Sequence, residues 1–159
     1  TFGVLNFGFV SNFGFRASDL FFLMDSQNNQ QQEKMKILIV DDDKFLLDMY
    51  TLKFKDSGCT IEAMTDPREA LEKLRGGANP NIILLDVVMP SMTGFEFLEV
   101  VRKEGLAKDT TIIMLTNQGQ QEDIDKAMSL GASGYIIKAS SIPSEVLQKT
   151  LTIAETKKK

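Results

Sequence analysis

The chain has 159 residues, a formal charge of −4 and a pI near 4.9, the size of one domain with an appendage; the acidic balance argues against nucleic acid as its main partner. Histidine is absent and cysteine occurs once, as Cys59, which excludes an internal disulfide, histidine acid–base catalysis, Ser-His and Cys-His nucleophiles and most zinc sites. Chemistry on this chain has to run on carboxylates, hydroxyls, lysine and metal.

Residues 1–34 differ in kind from the rest of the chain. Seven of the eleven phenylalanines fall by Phe22, and Asn6-Phe7-Gly8-Phe9 returns as Asn12-Phe13-Gly14-Phe15. Glycine and asparagine interrupt any helix, no apolar run approaches the ~18 residues of a membrane span, and a signal peptide's basic start and small-residue cleavage site are missing. Gln27–Gln32 is a polar linker with nothing to bury. The segment is expected to lie upstream of the true start, with Met24 and Met35 as candidate first residues, or to be disordered. A docking tail with aromatic anchors is the alternative.

From Met35 the punctuation becomes regular. Ile37–Val40 is a short β-branched run without alternation, so it reads as a strand buried on both faces. It stops in Asp41-Asp42-Asp43. A helix is expected over 44–57, with Asp43 as its cap, Phe45, Met49 and Leu52 on its apolar face and Gly58 after its end. A second strand over Thr60–Met64 leads to Asp66-Pro67, an N-cap with proline at the first helical position, and Glu69 suggests a capping box. Ala70, Leu71 and Leu74 give that helix its apolar face. Ile82–Leu85 is a third buried strand, ending at Asp86; beyond Pro90 and Gly94, Thr93 and Glu96 predict a capping box for a helix that turns Phe95, Leu98 and Val101 inward. The fourth strand, Thr111–Leu115, ends at Thr116, and a weaker helix over 120–130 carries Ile124, Ala127 and Met128. The fifth, Tyr135–Ile137, ends at Lys138. Pro143 to about Glu155 is the last helix, with Val146, Leu147, Thr150, Leu151 and Ala154 buried, and Lys157–Lys159 form a basic tail.

Strands alternating with helices predict a parallel, doubly wound α/β sheet, whose ligand site lies outside the carboxyl ends of its strands. Polar groups stand at four of those ends: Asp41 and Asp42, Asp86, Thr116 and Lys138. Caps and turns account for any one of them, but not easily for all four at one edge. Carboxylates make a hard-oxygen site suited to Mg²⁺, lysine supplies a compact charge for an anion, and an aspartate can itself accept a phosphoryl group.

The pieces KILIVDDD, NIILLDVVMPSMTGFEFL, TIIMLTN and GASGYIIKAS resemble the response-regulator receiver domain of two-component signalling, of the stand-alone, chemotaxis-receiver-like kind, over residues 35–156. The resemblance implies a flavodoxin-like strand order 2-1-3-4-5 with helices on both faces. It implies Asp86 as phosphoacceptor, with Lys138 and Thr116 at the phosphoryl group. Mg²⁺ would be held by Asp42, Asp86 and the main-chain carbonyl of Val88, with Asp41 acting mostly through water. Thr116 and Tyr135 would form the switch pair. The donor would be the phosphohistidine of a sensor histidine kinase or phosphotransfer protein, and the reader a downstream protein target. A cytoplasmic chain without cis DNA binding or membrane attachment is expected, and a phosphorylation-dependent dimer is left open.

Three positions depart from the family pattern. Ala139 follows the strand-five lysine where proline is usual, so a trans bond or local strain is expected. Asn117 is larger than the usual small residue after the switch threonine. Val88 has no group to orient a hydrolytic water, which predicts a long-lived acyl phosphate. Among competing readings, a haloacid-dehalogenase-like phosphatase would need an acid at Val88, and a nucleotide-binding enzyme would need glycines where the three aspartates stand. A receiver-like interaction module that is not regulated by phosphorylation is the runner-up.

Overall fold

The computed structural model describes residues 34–117 and 119–157; the expectations for the N-terminal segment and for all but the first lysine of the basic tail lie outside them. Five strands alternate with five helices: β1 (Lys36–Val40), α1 (Lys44–Asp56), β2 (Thr60–Met64), α2 (Pro67–Arg75), β3 (Ile82–Asp86), α3 (Gly94–Lys103), β4 (Thr111–Thr116), α4 (Gln121–Ser129), β5 (Gly134–Ile137) and α5 (Pro143–Lys157), with a 3₁₀ turn, Lys138–Ser140, after β5. Every strand pair is parallel and the order is β2-β1-β3-β4-β5, as expected. The chain starts in the middle of the sheet at β1, winds outward to β2, then returns past β1 to β3, so the order reverses between β1 and β3.

Alternation along the strands divides the interior into two cores. Leu38, Val40, Ile83, Leu85, Ile112 and Met114 face α2, α3 and α4, meeting Leu71, Leu98 and Val101 among others. Ile37, Ile39, Ile82, Leu84, Ile113 and Leu115 face α1 and α5, meeting Leu47, Tyr50, Phe54, Val146 and Leu147. That double burial is why the central strands read as unbroken apolar runs. Edge strand β2 is buried only in part, as its less apolar sequence TIEAM requires.

Helix starts follow the sequence signals. The Asp43 carboxylate accepts from the N–H groups of Phe45 and Leu46 at 2.9 and 3.2 Å. Thr93 and Glu96 close a reciprocal capping box on α3. Asp66 caps α2 through the Arg68 N–H at 2.8 Å, but Glu69 does not complete a box there: the Asp66 carboxylate serves the second helical N–H and the Ser91 hydroxyl instead of the third N–H.

Two apolar faces differ from expectation. On α1 the buried stripe is Leu47, Tyr50 and Phe54, while Phe45 and Leu52 are 69% and 66% exposed. Both triads have helical spacing; the entry from β1 through the Asp43 cap turns the second toward the sheet, where Tyr50 and Phe54 pack edge to face at 6.4 Å. On α4 only Ala127 is fully buried and Met128 faces solvent, a shallow contact in keeping with its weak pattern. Cys59 is a half-buried free thiol packed against the α1/α5 core. Among the described residues no peptide bond is cis, Lys138–Ala139 included, and no helix is long and apolar enough to cross a membrane.

Candidate functional site

The carboxyl ends of β1, β3, β4 and β5 converge on a cavity of about 390 Å³ lined by Asp41, Asp42, Asp86, Thr116, Asn117 and Lys138 among others. Asp41 and Asp86 are buried; Asp42 is exposed. Lys138 leaves β5 into the 3₁₀ turn and spans the first two: its Nζ lies 2.7 Å from Asp41 Oδ2 and 2.8 Å from Asp86 Oδ1. The other oxygen of Asp41, Oδ1, accepts the Asp43 N–H at 3.0 Å. The lysine thus stands between two carboxylates whose mutual repulsion in a buried site would otherwise oppose folding.

Electrostatics in the cavity are unequal. Burial pushes the Asp86 carboxyl up to about 6; the hydrogen bond and charge of Lys138 oppose the shift, and Asp41 and Asp42 add to it. For Lys138, burial works against the charged form, but the bonds to Asp41 and Asp86 prevail and hold it above its ordinary value. One oxygen from each of Asp41, Asp42 and Asp86 lies within 4.8 Å of the others. An all-oxygen, clustered and partly neutralised donor set of this kind fits a hard divalent cation such as Mg²⁺.

The connecting loops shape the opening. The amide of Gly94 donates to Val87 at 2.9 Å, bringing the start of α3 onto the end of β3. A Cβ at Gly94 would come within 2.3 Å of the Asp86 carbonyl oxygen, so only glycine permits this approach, a requirement invisible when Gly94 is read as a loop marker. Val88 lines the cavity and is 74% exposed. Tyr135 lies on the opposite strand face from the α1/α5 core, against α2–α4, and hydrogen-bonds through its side chain to Thr116; burial nevertheless raises its phenol above the ordinary value. The expected switch pair is therefore in contact. Sequence reading missed Asp123 and Leu46, which also line the cavity. Their positions in the first turns of α4 and α1, just past strand ends, were the available signal.

Fold and site together define an α/β domain with an acidic, lysine-bridged pocket beside the topological switch point. Residues 37–151 match the response regulator receiver domain, and the chain belongs to that family, the phosphoacceptor signalling domain of two-component systems. Chemotaxis protein CheY4 of Vibrio cholerae is similar in structure, with a TM-score of 0.69 and 35% identity over 76% of this chain and 98% of that one. So is a CheY-like receiver domain protein of Methanospirillum hungatei, with a TM-score of 0.71 and 28% identity over 79% of this chain and 98% of that one. In sequence the chain resembles the phosphate regulon transcriptional regulatory protein PhoB of Escherichia coli, 29% identical over 72% of this chain and 49% of PhoB. The chain spans about half the length of the curated relatives it matches. Receiver domains of this family interact with histidine kinases and generally bind Mg²⁺ in an acidic pocket.

Proposed function

We propose that Asp86 takes a phosphoryl group from the phosphohistidine of a partner sensor kinase or phosphotransfer protein, and that the resulting acyl phosphate changes how this domain binds a downstream protein. The observation that carries this reading is the buried Asp86 carboxylate, held 2.8 Å from Lys138 at the floor of a cavity open to solvent. In the transfer an Asp86 oxygen bonds to phosphorus as the phosphorus–nitrogen bond breaks, and the freed imidazole nitrogen keeps the electron pair. Asp42, Asp86 and the Val88 carbonyl would hold Mg²⁺, with Asp41 linked through water, and the ion would supply neutralisation of the phosphoryl oxygens. Lys138 exchanges a carboxylate partner for a phosphoryl oxygen. Thr116 donates its hydroxyl to another, changing its contact with Tyr135 and so the surface that Tyr135 shares with α4 and β5. A cytoplasmic location goes with this reading.

Incubation with a small-molecule phosphodonor should label the wild type in Mg²⁺ and leave it unlabelled in EDTA; Asp86→Asn should stay unlabelled in both. Labelling of Asp86→Asn equal to the wild type would refute the assignment. Val88, exposed and apolar beside the acceptor, offers a hydrolytic water no hydrogen bond, so radiolabel on Asp86 should decay over minutes or longer. Loss within seconds would contradict this role for Val88.

A further inference from the structure

At the opposite edge of the sheet, where β4 and β5 begin, a second cavity of about 640 Å³ lies between the last turns of α3 and α5 and the α4–β5 loop. Arg102, Lys108 and Lys157 line it together with Ser133, Thr152 and Thr156, and no carboxylate is among the described residues of its wall. The surroundings make this unusual, since acids outnumber bases by 22 to 18 in the chain. Elsewhere a surface cation such as Arg75 is paired with both Glu72 and Glu104. None of the three cavity cations is ion-paired to a carboxylate among the described residues.

Two of the three are fixed in place. Arg102 Nη2 donates to the Gly131 carbonyl at 2.6 Å and Lys157 Nζ donates to the Thr110 carbonyl at 2.7 Å. Each spends one N–H on the backbone, and their remaining donors are unassigned. Gly131, at φ +90°, leaves the space that Arg102 occupies: a Cβ there would come within 3.0 Å of Arg102 Nε. Burial and the charge of Arg102 lower Lys157, with Asp109 the neighbouring acid that opposes them. Capping of a carbonyl just past the end of α4 explains why Arg102 sits here, and the bond to Thr110 just before β4 anchors Lys157, but neither explains why Lys108 joins them with no ion-pair or hydrogen-bond partner among the described residues.

We propose that this cavity binds a small phosphate-bearing anion, the guanidinium of Arg102 forming the planar recognition element and Lys108 and Lys157 supplying point charges. The volume suits a pyrophosphate or nucleotide-sized ligand. The Ser133 hydroxyl, which has no hydrogen-bond partner among the described residues, supplies a neutral donor. This site is independent of phosphoryl transfer at Asp86.

The test is calorimetric titration of the full chain with pyrophosphate, and separately with ADP, in magnesium-free buffer containing EDTA. Saturable one-site binding is expected, weakened about tenfold or more by loss of one charge-assisted contact in Arg102→Gln and in Lys108→Gln, and unchanged in Lys55→Gln on exposed α1 surface. Lys108→Gln touches no backbone carbonyl, so it reads the site even if Arg102→Gln unfolds. Absence of saturation overturns the proposal, as does equal affinity in wild type and Lys108→Gln. Sedimentation with phosphatidylserine vesicles without binding of either soluble probe overturns it in favour of a lipid surface.

Discussion

Lys138 and Asp86 show how a single position can be held against its own preference. Burial makes the charged form of each costly, and each is the other's partner, yet the balance falls differently: the lysine has two carboxylates and stays charged, while the aspartate shares one lysine with Asp41 and is raised to about 6. Because the folded-state value of Asp86 lies above the ordinary 3.8, the native state favours the protonated carboxyl. That contribution is full below the unfolded value and is lost as pH rises through about 6. Asp86→Asn is neutral throughout. In metal-free buffer its stability relative to wild type should therefore grow from pH 4 to pH 7, read by urea denaturation; a flat or shrinking difference would contradict the assignment. The strand-end groups themselves were legible in the sequence, because an apolar run that halts at a carboxylate or lysine marks its own boundary. Gly94 was not, and Asp123 only through its place in a first helical turn past a strand end. What makes Gly94 necessary is a carbonyl eight residues earlier, which leaves no local trace, and what brings Asp123 to the cavity is the packing of α4.

Among the elements, α1 is the informative failure. Phe45, Met49 and Leu52 form as good a stripe as Leu47, Tyr50 and Phe54, and periodicity has no means of choosing between two phases of equal strength. The choice is made by the angle at which the chain leaves β1, a tertiary quantity. It has measurable consequences: Phe54→Ala should cost about 3–5 kcal/mol, the range for an aromatic lost from a packed core, whereas Leu52→Ala should change stability by no more than ~0.5 kcal/mol. Chemical denaturation of the pair would expose an inverted assignment at once. Capping was read better than packing, since Asp43, Asp66 and Thr93 each act on an N–H two or three residues away. The exception, Glu69, fails because Asp66 spends its carboxylate on Arg68 and on Ser91 of a distant loop.

For the whole molecule, the alternation of strands and helices announced a doubly wound sheet, and the apolar runs of β1 and β3 marked those two strands as buried on both faces. Which strand lies beside which came from family resemblance, since β1 could have paired with any buried strand on pattern alone. The fold brings the acids of β1 and β3 together before any ligand arrives, so a divalent cation that binds only the native arrangement adds to global stability. At a concentration of 100 times its dissociation constant it should contribute about 2.7 kcal/mol, or roughly 5–15 °C in thermal midpoint for a domain of this size. Calorimetry with and without Mg²⁺ should show the shift at pH 7 and lose most of it in Asp86→Asn. An equal shift in both would place the ion elsewhere.

The bond between Lys138 and Asp41 joins positions 97 residues apart, and this separation bears on how the protein comes into being. Synthesis delivers the carboxylates of β1 and β3 long before the cation that reconciles them. Contacts this distant in sequence are also among the slowest to close. Until β5 docks, the pocket is a cluster of like charges that favours keeping its own walls apart. The reactive centre is thus complete only when the sheet is, and a chain that has not completed its sheet has no bridging lysine to offer a phosphoryl group.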